Sequence, residues 1–248
     1  MDKKINVFGF HSIENLLKTN PELVIKVLLQ NGRKDKRMID LTNTLISQQI
    51  SFTISEKSNL DKISKGEIHQ GVISEIIPTP ILNEESFFNS IATFNHKPMI
   101  LILDSIQDPR NLGACLRSAN AAGVSHVIIN KDGSAPINSL VHRSSAGAIN
   151  SLQIFHVINL SRTIKQIKKK DIWVVGLDGN AQSSLYNINL TESTAIVVGS
   201  EGKGIRPLIK KNCDQIVSIP MSGNIESLNV SVATAIALFE IKRQRESF

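Results

Sequence analysis

Three short polar segments of this 248-residue chain hold side chains that could carry out chemistry. The first contains Asn111 and Arg117, the second contains Glu201 among three glycines, and the third contains Ser227 and Asn229. A charged guanidinium beside amide, hydroxyl and carboxylate groups is suited to orienting a sugar hydroxyl next to its phosphate, and to stabilising negative charge that develops on oxygen. These five residues are therefore candidates for a catalytic role.

Each segment also has a purely structural explanation. Arg117 could be a surface residue of a capped helix, on which we expect it to share a face with Asn111. The glycines around Glu201 could form only a tight turn, and Ser227 could be the N-cap of the helix that follows it. The occurrence of all three segments in one chain favours the chemical interpretation.

Motifs of several other enzyme classes are missing from the sequence. It has no Gly-x-x-x-x-Gly-Lys-Ser/Thr phosphate loop and no Gly-x-Gly-x-x-Gly fingerprint, which disfavours a nucleotide triphosphatase or a Rossmann dehydrogenase. Cys115 and Cys213 lack a Cys-x-x-Cys or Cys/His ligand spacing, so we expect no metal site and no disulfide. Neither cysteine lies in the loops expected to bind a ligand, which disfavours a covalent thiolate mechanism.

Short apolar runs separate the polar segments in the second half of the chain. These runs are Met99–Leu103, His126–Ile129, Ile172–Val175, Thr194–Val198 and Gln215–Ile219. They are typical of a parallel sheet that is covered on both faces, so we expect an α/β domain. Ligands of such sheets bind beyond the carboxyl ends of the strands, which places the site in the loops from Asp104, Gly176, Gly199 and Pro220 onward.

The amino-terminal part of the chain is typical of a small, separate α/β unit over residues 1–76. We expect its first helix to begin at Ser12, with strands at Val24–Leu29, Phe52–Ile54 and Gly71–Ile77. Prolines and polar residues follow, and prolines disfavour regular hydrogen-bonded structure, so residues 77–97 are expected to be a linker. The second domain then covers residues 98–248.

Charge and composition narrow the class of partner and the location. The net charge of +6 and the pI near 9.3 are compatible with a polyanionic partner, although the excess is mild. Basic clusters occur at Arg33–Arg37, Lys168–Lys170 and Lys242–Arg245, and each could also be a solvated face. No signal peptide and no apolar run of about 18 residues is present, so we expect a cytoplasmic protein without a membrane partner.

Taken together, the three polar segments resemble the SpoU branch of the SPOUT methyltransferases. The matching motifs are Asn-Leu-Gly-Ala with the downstream Arg117, Gly-Ser-Glu-Gly-x-Gly, and Ile-Pro-Met-x-Gly followed by Ser-Leu-Asn-Val-Ser-Val-Ala. The stretches Val7–Ile13, Gly32–Arg37 and His69–Val72 are similar to the ribosomal-protein-like domain of the family's large-subunit rRNA guanosine 2′-O-methyltransferases. The resemblance covers nearly the whole chain.

This resemblance implies an α/β fold with a trefoil-knot methyltransferase domain and a small amino-terminal α/β RNA-binding domain. It implies that S-adenosylmethionine is held mainly by backbone groups at Gly199, Ile219 and Leu228, with a weaker contribution from Leu177. It also implies a homodimer that acts on ribosomal RNA, in which the arginine of one subunit lies near the cofactor of the other. Asn150 and Glu226 depart from the family pattern, and we expect them to affect only substrate contacts.

The expected reaction is methylation of a guanosine ribose 2′-hydroxyl in 23S ribosomal RNA. Arg117 would clamp the neighbouring phosphate and stabilise the developing alkoxide, with Asn111, Glu201, Ser227 and Asn229 positioning the groups. A transfer-RNA ribose methyltransferase of the same family is the first alternative, and the amino-terminal extension argues against it. A non-catalytic RNA-binding or ribosome-assembly factor is the second, and the complete polar set argues against that.

Overall fold

The computed structural model describes residues 4–92, 96–223 and 227–246. The strands are β1 (Ile5–Phe8), β2 (Val24–Gln30), β3 (Phe52–Ser55), β4 (Val72–Ile76), β5 (Leu82–Asn83), β6 (Met99–Asp104), β7 (His126–Asn130), β8 (Gln153–Val157), β9 (Trp173–Leu177), β10 (Ser183–Ser184), β11 (Thr194–Gly199) and β12 (Gln215–Ser218). The α-helices are α1 (Phe10–Thr19), α2 (Lys36–Ser47), α3 (Lys57–Ser64), α4 (Glu84–Ile91), α5 (Pro109–Ala122), α6 (Ser139–Ser144), α7 (Leu160–Lys168), α8 (Pro207–Asn212) and α9 (Val230–Glu246).

The elements form two compact units. One contains the chain up to Pro80 together with Ile137–Ser151, and the other contains Ile81–Pro136 and the chain from Leu152 onward. This division differs from the consecutive domains 1–76 and 98–248 expected from the sequence, because a segment between β7 and β8 belongs to the amino-terminal unit. No helix in the described ranges is long and apolar enough to cross a membrane.

The amino-terminal unit is built on a mixed sheet with the strand order β1-β4-β2-β3. Strand β4 is antiparallel to both β1 and β2, and β3 is parallel to β2. The apolar faces of α1 and α2 pack against this sheet and bury residues such as Ile13 and Leu45 completely. Burial of these faces is the main source of stability for such a small unit.

Helix α1 begins two residues before the expected start at Ser12. Its N-cap is Gly9, with φ of 83°, and the backbone N–H of Phe10 donates to Oε1 of Gln70 at 3.3 Å. The free amide at the start of this helix is thus satisfied by a side chain sixty residues away in sequence. Local capping preferences could not have located this helix start.

The segment Ile137–Ser151 makes specific contacts inside the amino-terminal unit. The amide of Asn15 donates to the carbonyl oxygen of Ala146 at 3.2 Å, and Arg143 forms an ion pair with Glu67. At Gly147, which has φ of 84°, a Cβ atom would lie 2.6 Å from the Asn15 amide nitrogen. A larger residue here would force Asn15 to move and would adopt a strained left-handed backbone, which glycine avoids.

The other unit is built on a parallel sheet with the strand order β10-β12-β9-β11-β6-β7-β8-β5. Every residue of β6, β7 and β11 is buried. Strands covered on both faces need continuous apolar runs, so the expectation of a parallel α/β sheet is confirmed.

Residues 77–97 were expected to be a linker, and the structure differs over much of that range. Strand β5 pairs with β8 at one edge of the parallel sheet, and α4 begins at an N-cap, Asn83, whose side chain accepts from Ser86 N at 2.9 Å. Phe87 of α4 is fully buried, 5.3 Å from the ring of Phe155. Burial of this aromatic ring explains why the segment is ordered against the sheet.

Candidate active site

The parallel sheet places the expected loops side by side. Strands β12, β9, β11 and β6 are consecutive neighbours in it, and their carboxyl ends therefore lie along one edge. Gly199, the last residue of β11, is directly paired with Asp104, the last residue of β6. The loops that carry the three polar segments thus leave the sheet from adjacent positions.

Three of the five expected catalytic residues form one hydrogen-bonded group, here called the Asn-Glu-Asn cluster. Oε1 of Glu201 accepts from Nδ2 of Asn111 at 2.6 Å and from Nδ2 of Asn229 at 2.8 Å. Asn229 Nδ2 also lies 3.1 Å from Oδ1 of Asn111. These side chains come from α5, the loop after β11 and the start of α9, so only the tertiary fold brings them together.

Asn229 is also the N-cap of helix α9. Its Oδ1 accepts from the backbone N–H of Ser231 at 2.9 Å and from the Ser231 hydroxyl at 2.6 Å, while its carbonyl oxygen accepts from Ala233 N. The alternative that Ser227 caps this helix is therefore wrong, since the cap lies two residues later. Ser227 is exposed and makes no hydrogen bond to the residues described.

Helices α5 and α9, which carry two members of the cluster, pack against each other through buried small residues. At their contact, Cys115 Sγ lies 3.5 Å from Thr234 Oγ1, which donates to the carbonyl oxygen of Val230. Burial raises the pKa of the Cys115 thiol to about 11 and that of Cys213 to about 12. Both thiols are protonated at neutral pH, which agrees with a reaction that uses no cysteine nucleophile.

Arg117 lies apart from the Asn-Glu-Asn cluster. It is exposed on α5, and its side chain makes no hydrogen bond or ion pair to any residue in the described ranges. The expectation that it shares a helix face with Asn111 is wrong, because six positions at about 100° each make about 600°, which leaves the two side chains about 120° apart around the helix axis. Within one chain, therefore, Arg117 projects to a different side from Asn111.

The loop after β11 folds back tightly on the end of its own strand. The backbone N–H of Gly204 donates to the carbonyl oxygen of Ser200 at 2.8 Å, and a Cβ at Gly199 would lie 2.0 Å from Gly204 C. Gly202 and Gly204 have φ of 75° and 63°, and no atom lies within 4 Å of where their Cβ atoms would stand. The loop backbone is thus open to close approach by a ligand.

The structure places the other expected ligand-binding residues around this loop. Ile219 directly follows β12, Leu177 ends β9 between β12 and β11, and Leu228 directly precedes Asn229. Ile219 and Leu228 are half-buried, and Leu177 is buried. Their positions are compatible with a ligand held by backbone groups along the sheet edge.

Sequence reasoning missed an ion pair beneath the loop between a buried carboxylate and a half-exposed arginine. Asp104 is completely buried, and Arg206 donates to its Oδ2 from the backbone N–H at 2.9 Å and to its Oδ1 from Nε at 2.7 Å. An aspartate that ends a wholly apolar strand is a signal for such a partner, because an unpaired buried carboxylate is costly. The identity of the partner required the structure.

Two residues, Asn150 and Glu226, were expected to depart from the family pattern. Asn150 is buried within the amino-terminal unit, and its Oδ1 has no hydrogen-bond partner among the described residues. Glu226 lies outside the described residues.

In the part of the chain that is described, no group of three or more His, Cys, Asp or Glu side chains could hold a metal ion.

Two family models match the chain. The SpoU rRNA Methylase family matches residues 98–239, and the family described as RNA 2′-O ribose methyltransferase substrate binding matches residues 6–81. The first match contains the whole Asn-Glu-Asn cluster and Arg117. The second coincides with most of the amino-terminal unit.

Individual proteins are similar to the chain over nearly its full length. The 23S rRNA (guanosine-2′-O-)-methyltransferase RlmB of Escherichia coli (strain K12) is 43% identical over 96% of this chain and 98% of that protein. RlmB of Haemophilus influenzae is also 43% identical, over 96% and 97%. A crystal structure of an RNA 2′-O ribose methyltransferase superposes with a TM-score of 0.81, with 27% identity and coverage of 98% and 90%.

A more distant structure supports the fold alone. The SpoU methyltransferase AviRb from Streptomyces viridochromogenes, crystallised with AdoMet, has a TM-score of 0.78 and 22% identity, and the match covers 99% of this chain and 92% of that one. The matched family model, the 43% identity to curated relatives over nearly the whole chain and the shared architecture agree. This chain is a member of the SpoU rRNA methylase family.

Proposed function

We propose that the protein transfers a methyl group from S-adenosylmethionine to the 2′-hydroxyl of a guanosine ribose in 23S ribosomal RNA. The observation that carries this proposal is the Asn-Glu-Asn cluster, assembled at the carboxyl edge of the sheet in a chain that is 43% identical to RlmB over nearly its full length. RlmB is named as a 23S rRNA (guanosine-2′-O-)-methyltransferase.

The residues at the sheet edge fit S-adenosylmethionine as the cofactor. The open backbone at Gly202 and Gly204 leaves room for close contact with a ligand, and two related structures contain AdoMet. We propose that backbone groups at Gly199, Ile219 and Leu228 hold the cofactor, with a contribution from Leu177. When bound there, S-adenosylmethionine supplies an electrophilic methyl group.

The Asn-Glu-Asn cluster is proposed to position the ribose. Glu201 is fixed by two amide donors on one oxygen, which leaves its other oxygen available to accept a hydrogen bond from the substrate. Such fixed donors and acceptors lower the cost of orienting a hydroxyl for in-line attack. We propose that Ser227 adds a further hydroxyl contact to the RNA from its exposed position.

Arg117 is proposed to act on the sugar-phosphate backbone. Its guanidinium remains charged at neutral pH, which suits it to clamp the neighbouring phosphate and stabilise the developing alkoxide while that phosphate or water takes the proton. The exposure of Arg117 away from the cluster of its own chain supports a role across a homodimer interface. One subunit would then supply Arg117 to the cluster of the other.

The amino-terminal unit is proposed to bind the RNA substrate. This role is supported by the substrate-binding family match to residues 6–81 and by the basic segment Arg33–Arg37 at the start of α2. We further propose that the carboxyl-terminal part of the chain is threaded as the trefoil knot of its family. Because the proposed substrate is ribosomal RNA, we propose that the protein acts in the cytoplasm.

The product of the reaction gives the sharpest test. The protein should be incubated with labelled S-adenosylmethionine and unmodified total RNA, after which label is expected in large-subunit ribosomal RNA. Because a 2′-O-methyl group removes the nucleophile that cleaves RNA in alkali, mild base should leave a gap at one guanosine. The Arg117→Ala variant serves as the control that leaves no gap.

The other outcomes point to different functions. Label in transfer RNA would make the protein a tRNA methyltransferase, and no label in any RNA would favour a non-catalytic assembly factor. Full incorporation of label without a gap in the alkaline ladder would place the methyl group on the base.

A further inference from the structure

We propose that Asp104 and Arg206 form a positioning pair that holds the glycine-rich loop, residues 199–204, in the shape needed to bind the cofactor. This inference rests on the proposed function, since it assigns cofactor binding to that loop. It concerns two residues outside the Asn-Glu-Asn cluster. Neither residue is expected to touch the reacting atoms.

The pair closes the loop at its base. The loop begins at Gly199, which is paired with Asp104 in the parallel register of β11 and β6. Two residues after the loop ends, Arg206 is the N-cap of α8. Arg206 then reaches back to Asp104 through its backbone N–H at 2.9 Å, its Nε at 2.7 Å and its Nη2 at 2.6 Å. The first residue of the loop and the residue that follows it at α8 are thus both held at the carboxyl end of β6.

The chemistry of the pair makes the attachment specific. The Asp104 side chain has no exposed surface, while half of the Arg206 side chain is exposed. A buried carboxylate needs hydrogen-bond donors on both oxygens, and here the backbone and side chain of one residue satisfy both, with the Ser105 hydroxyl at 3.3 Å as a further donor. Any movement of Arg206 away from the strand would leave the charge unpaired.

The loop held in this way also carries Glu201. Its other attachments are the Ser200–Gly204 backbone contact and the two hydrogen bonds from Asn111 and Asn229. These attachments fix the middle of the loop, whereas Asp104–Arg206 fixes its base. Loss of the pair should therefore disturb the loop backbone first.

The test compares two variants of the full-length protein. Arg206→Leu removes the side-chain attachment and leaves the buried Asp104 carboxyl without its ion-pair partner, so it should lower the melting temperature. Arg206→Leu combined with Asp104→Asn removes the buried charge as well, which should restore much of the stability but not the attachment. The matched control is Arg162→Leu with Glu84→Gln, which removes another ion pair of the same unit, at 2.6 Å, far along the sequence from the loop.

Two measurements separate positioning from general stability. Calorimetry without RNA should show S-adenosylmethionine binding weakened by about tenfold or more in the double variant and unchanged in the control. Hydrogen exchange of the Gly204 N–H, which is bonded to Ser200 O, should be faster in the double variant than in the wild type. Arg206→Lys keeps the charge but loses the planar donor geometry. Its cofactor affinity and its Gly204 exchange rate should therefore lie between those of the wild type and those of the double variant.

The inference is overturned if the double variant binds the cofactor with wild-type affinity, or if its loop amides exchange at the wild-type rate. If the wild-type protein itself does not bind S-adenosylmethionine, the proposed function fails. In that case the exchange rates alone still decide whether the pair holds the loop.

Discussion

The side chain of Asn229 donates from its nitrogen to Glu201 at 2.8 Å, while its oxygen caps helix α9. One amide therefore serves both the candidate site and the stability of a helix. An amide can do this because it carries a donor and an acceptor on opposite arms. Substitutions that keep one function and remove the other can separate the two.

Asn229→Ser is expected to preserve the helix cap but to lose the contact with Glu201, because the shorter hydroxyl cannot span that distance. Its free energy of unfolding should stay within a few tenths of a kcal/mol of wild type, whereas Asn229→Ala should lose about 1 kcal/mol. Methyl transfer should fall by about 10- to 100-fold in both variants. Denaturant titration and initial-rate assays provide the measurements, and wild-type activity in Asn229→Ser would remove Asn229 from the site.

Arg117→Ala is expected to abolish methyl transfer and to leave the affinity for S-adenosylmethionine within a few-fold of wild type. The reason is that the cofactor is proposed to be held by backbone groups of other loops. Asn120→Ala, at an exposed position of the same helix α5, is the matched control and should retain activity. Equal losses of cofactor binding and activity in Arg117→Ala would mean that Arg117 is structural.

Mixing two inactive variants tests whether Arg117 acts across a homodimer. If Arg117→Ala and Glu201→Gln subunits exchange freely, half of the dimers are mixed and each mixed dimer contains one intact site. Activity should then recover to about a quarter of the wild-type value, as expected for two-fold symmetric pairing. A mixture that stays inactive after subunit exchange has been verified would place Arg117 and Glu201 of one chain in the same site.

The basic segment Arg33–Arg37, which runs from the loop after β2 into the first turn of α2, contains residues with different roles. Arg37 forms a two-pronged ion pair with Glu14, at 2.7 and 2.8 Å, and this pairing lowers the pKa of the Glu14 carboxyl. Arg33 is paired with Asp35, whereas Lys34 and Lys36 are exposed. The two lysines are therefore the side chains expected to contact RNA.

Substitution of Lys34 and Lys36 by glutamine should weaken RNA binding and reduce the slope of log K against log salt by about 1.4 to 1.8, since two phosphate contacts are lost. The melting temperature should not change. Arg37→Gln is the control, because it removes the ion pair with Glu14 and should therefore lower the melting temperature. An unchanged salt slope in the lysine variant would move the RNA contact elsewhere.

A buried histidine predicts loss of stability in mild acid. His142 is 2% exposed, neither ring nitrogen has a hydrogen-bond partner among the described residues, and burial lowers its pKa from 6.5 to about 4. In the unfolded chain the His142 ring binds a proton below about pH 6.5, but in the folded chain it does so only near pH 4. Stability is therefore present above pH 6.5 and should fall by about 2 kcal/mol between pH 7 and pH 5.

His142→Leu should remove this part of the pH dependence, and urea titrations at pH 7 and pH 5 measure it. The pKa of His126 is likewise lowered to about 4, mainly by burial. The stability of both the wild type and His142→Leu should therefore still depend on pH. The informative quantity is the difference between the two proteins. Equal losses in parent and variant would show that His142 does not titrate in this range.

Sequence reasoning located five strands of the parallel sheet, β6, β7, β9, β11 and β12, because buried strands must be continuously apolar, but it did not identify β5, β8 or β10. It also identified the residues of the Asn-Glu-Asn cluster, through motifs whose order and spacing are specific to the family. It failed where a structural role depends on a distant partner. The start of α1 depends on Gln70, and the burial of Phe87 depends on Phe155.

The prediction for Arg117 shows a second kind of limit. Helical spacing fixes the direction of a side chain, and six residues from Asn111 is a different face of α5. Residue types and order alone do not reveal whether a functional partner belongs to the same chain or to another copy. Likewise, Asp104 and Arg206 are ordinary residues in the sequence and become a pair only through the register of β6 and β11.

The packing of Gly147 against Asn15 constrains how this architecture can be recombined. A crossover placed near Pro78–Pro80 would exchange the first unit as a cassette, but it would leave behind Ile137–Ser151, which packs with that unit. The chimera would then set Gly147 against an unrelated surface. Successful grafts onto this scaffold are thus expected to transfer both stretches, and residues 15 and 147 should diverge in concert among descendants.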